Sequence, residues 1–489
     1  MATSRKCEGQ LSPTKANSCL SYRGADRATE MAQRDNNPCW DNLPSVILQE
    51  IFSYLSHNSR LRASQVCSNW RDALFHPSFW KKITFDLKNK DSISWSRCLR
   101  ESFGLSAEEV TIHCDTRNCS IRETLAILKK LSCNRQLRKL FLDSSSNSFG
   151  TEYNKDINGY NNCVTNPLIQ SLVKIIETAN RLEVLSLGCI KKLRANADVI
   201  LRPLCLHHAM HLTTLSLASV RDDPENYDLE QFESGYEFFF NSFAKLSILT
   251  LDYEFVNDYL LEALDNGIME RFVIHVHEWD DNYSGTTNRA WQLFVQKNPE
   301  CELRLNLIHS YIGIKRLDTH ILHPSMPLTH LKVLFCQNFN IRVLHMLSSW
   351  YDLTLKSLIW IDSMNPLIKM PATYDPYNPD SPDPLVLVAW KCSKLEEIVF
   401  MGHKYYEENL LAIARLRGYS LKLLAFPKND IASDDEYWHK GDTITLEIEE
   451  IMGRRWMSLS EADLPAVVKD PFKGDSREVI MPLVLRDQK

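Results

Sequence analysis

The hexapeptide LEVLSL (182–187) returns as LTTLSL (212–217) and LSILTL (246–251), and stands earlier as LRKLFL (137–142). Its form is apolar-x-x-apolar-x-apolar. The last two apolar residues, one residue apart, point to the same side of a short strand, and the first anchors the chain as it enters. Weaker copies are WKKITF (80–85), AEEVTI (107–112), MERFVI (269–274), ELRLNL (302–307), LTHLKV (328–333), LKSLIW (355–360), LEEIVF (395–400) and LKLLAF (421–426). Trp80 to Leu421 is eleven steps averaging 31 residues, the signature of a repeat architecture. Helical patterns lie between the strands, among them IRETLAILKKLSC (121–133), NPLIQSLVKIIETAN (166–180) and VNDYLLEALDNG (256–267). One strand–helix unit cannot bury its apolar side alone. The units are therefore expected to stack into an α/β solenoid, a curved parallel sheet with helices on the convex side. A doubly wound sheet would show longer buried strands and a glycine-rich phosphate turn, and neither is present.

Composition bounds the function. The chain has 489 residues, 44% of them hydrophobic, ample for a large core and too long for one compact globule unless the fold is elongated. A net charge of −6 with 24% charged residues argues against nucleic acid as the main ligand, because phosphate binding needs a basic surface. Fourteen cysteines are scattered along the chain, and its first residues lack the apolar core of a signal peptide. They read as reduced thiols in cytoplasm or nucleus, mostly small core residues. No apolar run approaches the ~18 residues of a membrane span; PLVLVAW (384–390) is about the longest. A soluble protein without membrane contact is expected.

Four segments follow. Residues 1–37 are polar and read as a disordered tail. Residues 38–82 hold short helices, 83–429 the solenoid, and 430–489 a tail that leaves the repeat. In DNLPSVILQEIFSYL (41–55), Ile47, Leu48, Ile51, Phe52 and Leu55 fall within an arc of roughly 140° on a helix, and Pro44 suits its first turn. HNSR (57–60) is read as a break, and LRASQVCSNWRDALF (61–75) as a second helix that ends at HPSFW. Polar insertions at 143–162, 221–237 and 373–384 read as variable rim loops. In the tail, an acidic turn, SDDEYWHKGD (433–442), precedes a helix, TITLEIEEIMGRRW (443–456), and an apolar segment, VIMPLVL (479–485).

No motif for covalent chemistry is present: no G-x-S-x-G, P-loop, dinucleotide fingerprint or kinase signature. Cys114 and Cys119 have no matching second pair. His207, His208 and His211 have no completing carboxylate or cysteine nearby. His275 and His277 share one side of a strand and read as polar residues at a strand end. No metal and no cofactor is expected.

The short N-terminal helices have more apolar face than about 40 residues bury alone. LPSVILQEIFSYLSHNSRLRASQVCSNWRDALFHPSFWKKI (43–83) resembles an F-box. The likeness is carried by Leu43-Pro44, Ile47-Leu48, Ile51-Phe52, Leu55, Arg60-Leu61, Val66-Cys67, Trp70-Arg71 and Phe79-Trp80. Val46 stands where the family commonly has Glu. The repeats resemble the irregular leucine-rich repeats of F-box proteins, with CSKLEEI (392–398) and VNDYLLEAL (256–264) similar to the cysteine-containing type. The resemblance implies a substrate receptor of a cullin-RING ubiquitin ligase, which docks a Skp-family adaptor and, through it, a cullin and RING subunit. Carried over by position, the adaptor contacts are Leu43, Pro44, Ile47, Leu48, Ile51, Phe52, Leu55, Val66, Cys67 and Trp70. Some of these form the small core of the F-box itself, and their order does not separate the two sets. Such a receptor does no covalent chemistry; it tethers a protein substrate near a charged enzyme. The alternative is a scaffold that uses the same F-box without promoting ubiquitination.

The concave face of the solenoid is the expected substrate surface. Its N-terminal half is small or polar: Thr111, Asp143, Ser186, Ser216, Thr250 and Asp252. Its C-terminal half is an apolar stripe of Ile308, Leu334, Ile359, Ile361, Val399 and Met401, and such a stripe has something against it. Two candidates cover it: an unknown protein substrate, or residues 430–489, which either cap the last repeat or fold over the stripe.

Overall fold

The computed structural model describes residues 40–488 apart from 88, 115–117, 145–164, 188–189, 191–192, 194–195, 222–236, 278, 280–282, 284, 366–369, 375–380 and 433–440. The N-terminal tail lies wholly, the insertions at 143–162 and 221–237 and the acidic turn largely, and the insertion at 373–384 by half outside the described residues. The chain divides into two compact units, Met1–Phe75 and His76–Lys489.

In the first unit three helices are described: Ser45–Ser53, His57–Ala63 and Ser68–Leu74. HNSR therefore starts a helix rather than breaking one. Ser56 caps it by accepting a hydrogen bond from Ser59 N at 3.3 Å, and the interruption falls at Ser64–Cys67, where Cys67 is extended (φ −155°). The reversal after the first helix is held by Arg60, whose Nε donates to Phe52 O at 2.7 Å.

In the second unit all twelve repeats are strands of one parallel sheet. They are β1 (Lys82–Asp86), β2 (Glu109–Cys114), β3 (Lys139–Ser144), β4 (Val184–Ser186), β5 (Thr214–Ser216), β6 (Ile248–Asp252), β7 (Arg271–Val276), β8 (Glu302–Ile308), β9 (Leu328–Leu334), β10 (Ser357–Ile361), β11 (Glu397–Met401) and β13 (Leu423–Ala425). Their spatial order is their chain order, which is a solenoid and not a doubly wound sheet. A two-residue pair, β12 (Tyr405–Tyr406) with β14 (Ile431–Ala432), stands apart.

The register explains the hexapeptide. Leu140, Leu185, Leu215, Leu249 and Phe272, each the fourth residue of its copy, stand side by side across β3 to β7. Leu303, the second residue of ELRLNL, continues the column in β8, two residues earlier than that copy implied. All are fully buried. Three-residue strands such as β4 and β5 are too short to persist alone; each exists because this column continues on both sides.

Turns between helix and strand are pinned by polar side chains. Asn298 Nδ2 donates to Leu264 O at 2.8 Å while its Oδ1 accepts from Met269 N at 3.3 Å. Asn134 does the same with Ala107 O (2.8 Å) and Gln136 N (2.7 Å), and Asn266 with Leu246 O (3.0 Å) and Ile268 N (3.1 Å). His208 replaces Asn in one repeat. Leu182 N donates to its Nδ1, so Nε2 carries the proton given to Ile176 O at 2.7 Å.

The end of the solenoid is closed by residues 441–459. The helix Gly441–Met452 packs beside the last repeat helix, Glu407–Arg417. Trp456 Nε1 donates to Leu424 O at 2.8 Å and Leu459 N to Phe426 O at 2.9 Å, so the open edge at β13 is covered. Among the described residues no helix is long and apolar enough to cross a membrane.

Asn298→Ala is expected to cost about 1–3 kcal/mol, because it leaves a buried carbonyl and amide without their partner. Denaturant unfolding measures the loss, and hydrogen exchange places it at the turn 264–270.

Candidate functional site

The ten apolar residues of the N-terminal unit separate by exposure. Leu48 and Phe52 are fully buried, and Phe52 meets Trp70 edge-on with ring centroids 5.9 Å apart. Leu43, Ile51, Leu55, Cys67 and Trp70 are half-buried, whereas Pro44, Ile47 and Val66 are exposed. Ile47 and Val66 keep 47% and 63% of their surface in water. Trp40, Val46 and Tyr54 are also exposed; the motif did not mark them. Two polar side chains clamp the entrance. Asn69 Nδ2 donates to Asp41 O and Leu43 O, each at 2.9 Å, and Trp70 Nε1 donates to Trp40 O at 3.0 Å. An exposed apolar set on a small helical unit is a surface that protein partners cover.

On the solenoid, Ile308, Leu334, Ile359, Ile361 and Val399 are buried and Met401 is half-buried. Their cover is the chain's own end. After the cap, residues 464–468 and the helix Arg477–Asp487 turn back onto the inner face, where Leu464, Val467, Val468, Ile480, Met481 and Val484 join the stripe in one apolar cluster. The tail thus does both things open to it, capping with 441–459 and folding over with 464–488. Of the two candidate covers for the stripe, a substrate or the chain's own end, the second lies on it here, where aliphatic side chains from the same chain exclude water from it.

The terminal helix runs antiparallel to the strands. At its N-terminal end Arg477 Nη1 donates to Val220 O at 3.1 Å, and Ser476 Oγ lies 2.8 Å from His309 Nε2. At its other end Asp487 is enclosed. Arg304 Nη1 (2.9 Å), Asn306 Nδ2 (3.0 Å) and Lys332 Nζ donate to its carboxylate, and Arg271 Nη1 donates to its backbone carbonyl at 2.9 Å. Beyond it Ser186 Oγ donates to Gln488 Oε1 at 2.9 Å. Burial opposes ionisation of Asp487, but Lys332, Arg304 and Asn306 outweigh it and hold the carboxyl at about 2. Burial likewise lowers Lys332, and Asp487 opposes that shift. None of these four anchors was visible in the sequence. Arg304, Asn306 and Lys332 occupy strand positions where polar residues normally face solvent, and their partner is more than 150 residues away.

Above the helix the loops after β8 to β11 and the turn 469–476 enclose a cleft of about 1000 Å³. Its wall is set by unusual backbone: His309, Phe335 and Gln337 have φ of 50°, 55° and 58°, and Gly402 has φ 83°. A Cβ on Gly402 would lie 2.3 Å from Asp362 O, so only glycine fits there. Asp362 ties the wall together, accepting from Gln337 N at 2.8 Å and facing His403 Nε2 at 2.9 Å.

His275 and His277 do converge with a carboxylate, since Asp252 stands beside His275 in the register of β6 and β7. All three are buried with potential ligand atoms within 4.8 Å of one another. The geometry is that of a hydrogen-bonded knot. His275 Nδ1 and His277 Nε2 each lie 2.9 Å from Ser219 O, which can only accept, so both nitrogens carry protons. Ser219 N and Oγ donate to Asp252 at 2.8 and 2.6 Å. The inner nitrogens of both rings and the Asp252 carboxylate are thus already engaged with Ser219. The outer nitrogens of both rings also lack a partner among the described residues, where metal-bound histidines normally donate. Of the cysteines, Cys114, Cys301, Cys336 and Cys392 are buried, and burial pushes the Cys114 thiol up to about 12, which makes it inert.

Comparison with known proteins bears first on the N-terminal unit. A family described as F-box-like matches residues 40–86. F-box only protein 33 of Homo sapiens is 25% identical over 90% of this chain and 86% of its own length. F-box only protein 33 of Mus musculus is 24% identical over 93% and 89%, and F-box/LRR-repeat protein 21 of Mus musculus 20% identical over 85% and 89%. A solved chain from the TLR13-ssRNA13 complex, 12% identical, overlaps 68% of this chain and half (50%) of its own, with a TM-score of 0.28; the solenoid rests on the strand order rather than on that likeness. The chain carries an F-box-like domain near its N-terminus, followed by a leucine-rich-repeat-type solenoid.

Asp487→Ala is expected to loosen the terminal helix by about 3–5 kcal/mol, because Lys332 is left enclosed without its counter-charge, whereas Lys332→Met combined with Asp487→Met is expected to be close to neutral. Denaturant unfolding of the two variants compares them. The carboxyl is depressed from 3.8 to about 2, so its contribution is present above the ordinary value and lost as pH falls through the folded one. Hydrogen-exchange protection of residues 477–487 should decline between those two values, with protection of β3 to β6 outlasting it.

Proposed function

We propose that this chain is the substrate-recognition subunit of an SCF-type E3 ubiquitin-protein ligase. The exposed set around Ile47 and Val66 docks a Skp-family adaptor, and through it a cullin and RING subunit. The solenoid holds a protein substrate for ubiquitination and proteasomal degradation. The observation that carries the proposal is the split within the F-box-like unit: Leu48 and Phe52 fill its interior while Pro44, Ile47 and Val66 face water. A 40-residue helical unit with that much apolar surface outside is stable mainly as half of an interface. Leu43, Ile51, Leu55, Cys67 and Trp70, half-buried, form the floor of the contact; Leu48 and Phe52 support it from beneath.

The chain supplies no acid, base or nucleophile in this reading. Its contribution is effective concentration, holding a substrate lysine near the charged enzyme. It works in cytoplasm and/or nucleus, where adaptor and ligase subunits meet it.

Ile47→Glu with Val66→Glu is expected to abolish co-purification of adaptor, cullin and RING subunit while leaving the melting temperature within about 2 °C, since both residues are already solvated. Phe52→Ala is expected to lose about 3–5 kcal/mol of stability instead. Retention of the adaptor by the double variant would sink the docking surface. Adaptor binding by the unaltered chain, with no rise in a solenoid partner's abundance when the double variant is expressed in its place, would favour the scaffold.

A further inference from the structure

The terminal helix Arg477–Asp487 does something the end of the solenoid does not require. The open edge at β13 is already covered by residues 441–459, so the helix is not the cap. It reaches the inner face through an exposed turn in which Gly474 has φ 90° and Phe472 keeps 95% of its surface in water. The helix is a weak one, with Pro482 inside it, which removes an intrahelical hydrogen bond. Its seat combines two chemistries: the apolar stripe, and at one end Arg304, Asn306 and Lys332 converging on one carboxylate. A permanent lid is held at least as well by apolar side chains; enclosed ionic fixtures select register and partner. The cleft of about 1000 Å³ opens beside the helix and reaches the same stripe through Phe335 and Val467.

We propose that the inner face of β7 to β11 is a groove for an amphipathic helix of a partner protein, and that residues 476–488 occupy it as an intramolecular stand-in. The stand-in states the chemistry of the partner: two adjacent aliphatic residues, a third three positions on, and a carboxylate three beyond that, as in Ile480, Met481, Val484 and Asp487. A tethered helix acts at an effective concentration on the order of millimolar. A partner displaces it by matching those contacts and adding others in the cleft, against His309, His403 or Phe472. If the receptor reading holds, this helix belongs to the substrate; the groove itself does not depend on that reading.

The test uses the full chain with a protease site inserted in the exposed turn 470–475, so every contacting side chain is kept. The probe is a fluorescent peptide of residues 476–488, followed by anisotropy before and after cutting. The peptide should exchange into the cut chain and bind the uncut chain about a hundredfold more weakly. A peptide with Asp487→Ala should lose about a hundredfold against the cut chain, and Asp487→Lys more. These arms alter only the probe and need no refolding of a variant. A cut chain that stays folded but never takes up the peptide overturns the proposal. So does a cut chain that unfolds when its tail is competed away, because the helix is then part of the fold, and so does equal binding of the three peptides. Adaptor capture by the same preparations reports on the F-box separately: its loss would sink the receptor reading and leave the groove standing.

Discussion

A solenoid of short strands leaves one face with no second layer, and in this chain the far half of that face is aliphatic. Ile308, Leu334, Ile359, Ile361 and Val399 need cover from water, and the chain's own terminal segment provides it. The apolar part of the contact supplies the free energy, at roughly 1.5–3 kcal/mol for each side chain fully buried. The polar part fixes the position. Asp487 has one place where Arg304, Asn306 and Lys332 all reach it, and sliding the helix by one turn would leave three donors and a carboxylate enclosed without partners.

The solenoid is built from nearest-neighbour contacts, and its polar details serve them. The asparagines at 134, 266 and 298 bind three of the helix-to-strand turns to the repeat before them, so in these places one repeat lends order to the next. His208 does this work with a ring in place of an amide. The knot of Ser219, Asp252, His275 and His277 links three adjacent strand ends in the same manner. His208, His275 and His277 are thus engaged in hydrogen bonds within the solenoid.

The fold was legible because its signal is periodic. Every hexapeptide copy, including weak ones such as ELRLNL and LKLLAF, is a strand of the sheet, since burial of the paired apolar positions is a local requirement repeated twelve times. The F-box-like segment was legible from residue order, but its division into core and surface was not. Ile47 and Leu48 are equally apolar and adjacent, yet tertiary packing encloses the second and leaves the first exposed. The same limit hid the helix start at His57, which Ser56 caps, and the break at Ser64–Cys67, where Cys67 is extended. The seat of the tail was half legible: the stripe and the apolar segment 479–485 both stood out, whereas Lys332 and Asp487 gave no local sign. A pairing across 155 residues leaves no period to read.

Two surfaces follow, an open one on the F-box-like unit and an occupied one on the solenoid. Hydrogen exchange of the full chain with and without a Skp-family adaptor examines both at once. The account predicts added protection confined to residues 43–71, with residues 477–487 protected equally in both states. Unchanged exchange at 43–71, or rapid exchange at 477–487 in the free chain, would contradict it.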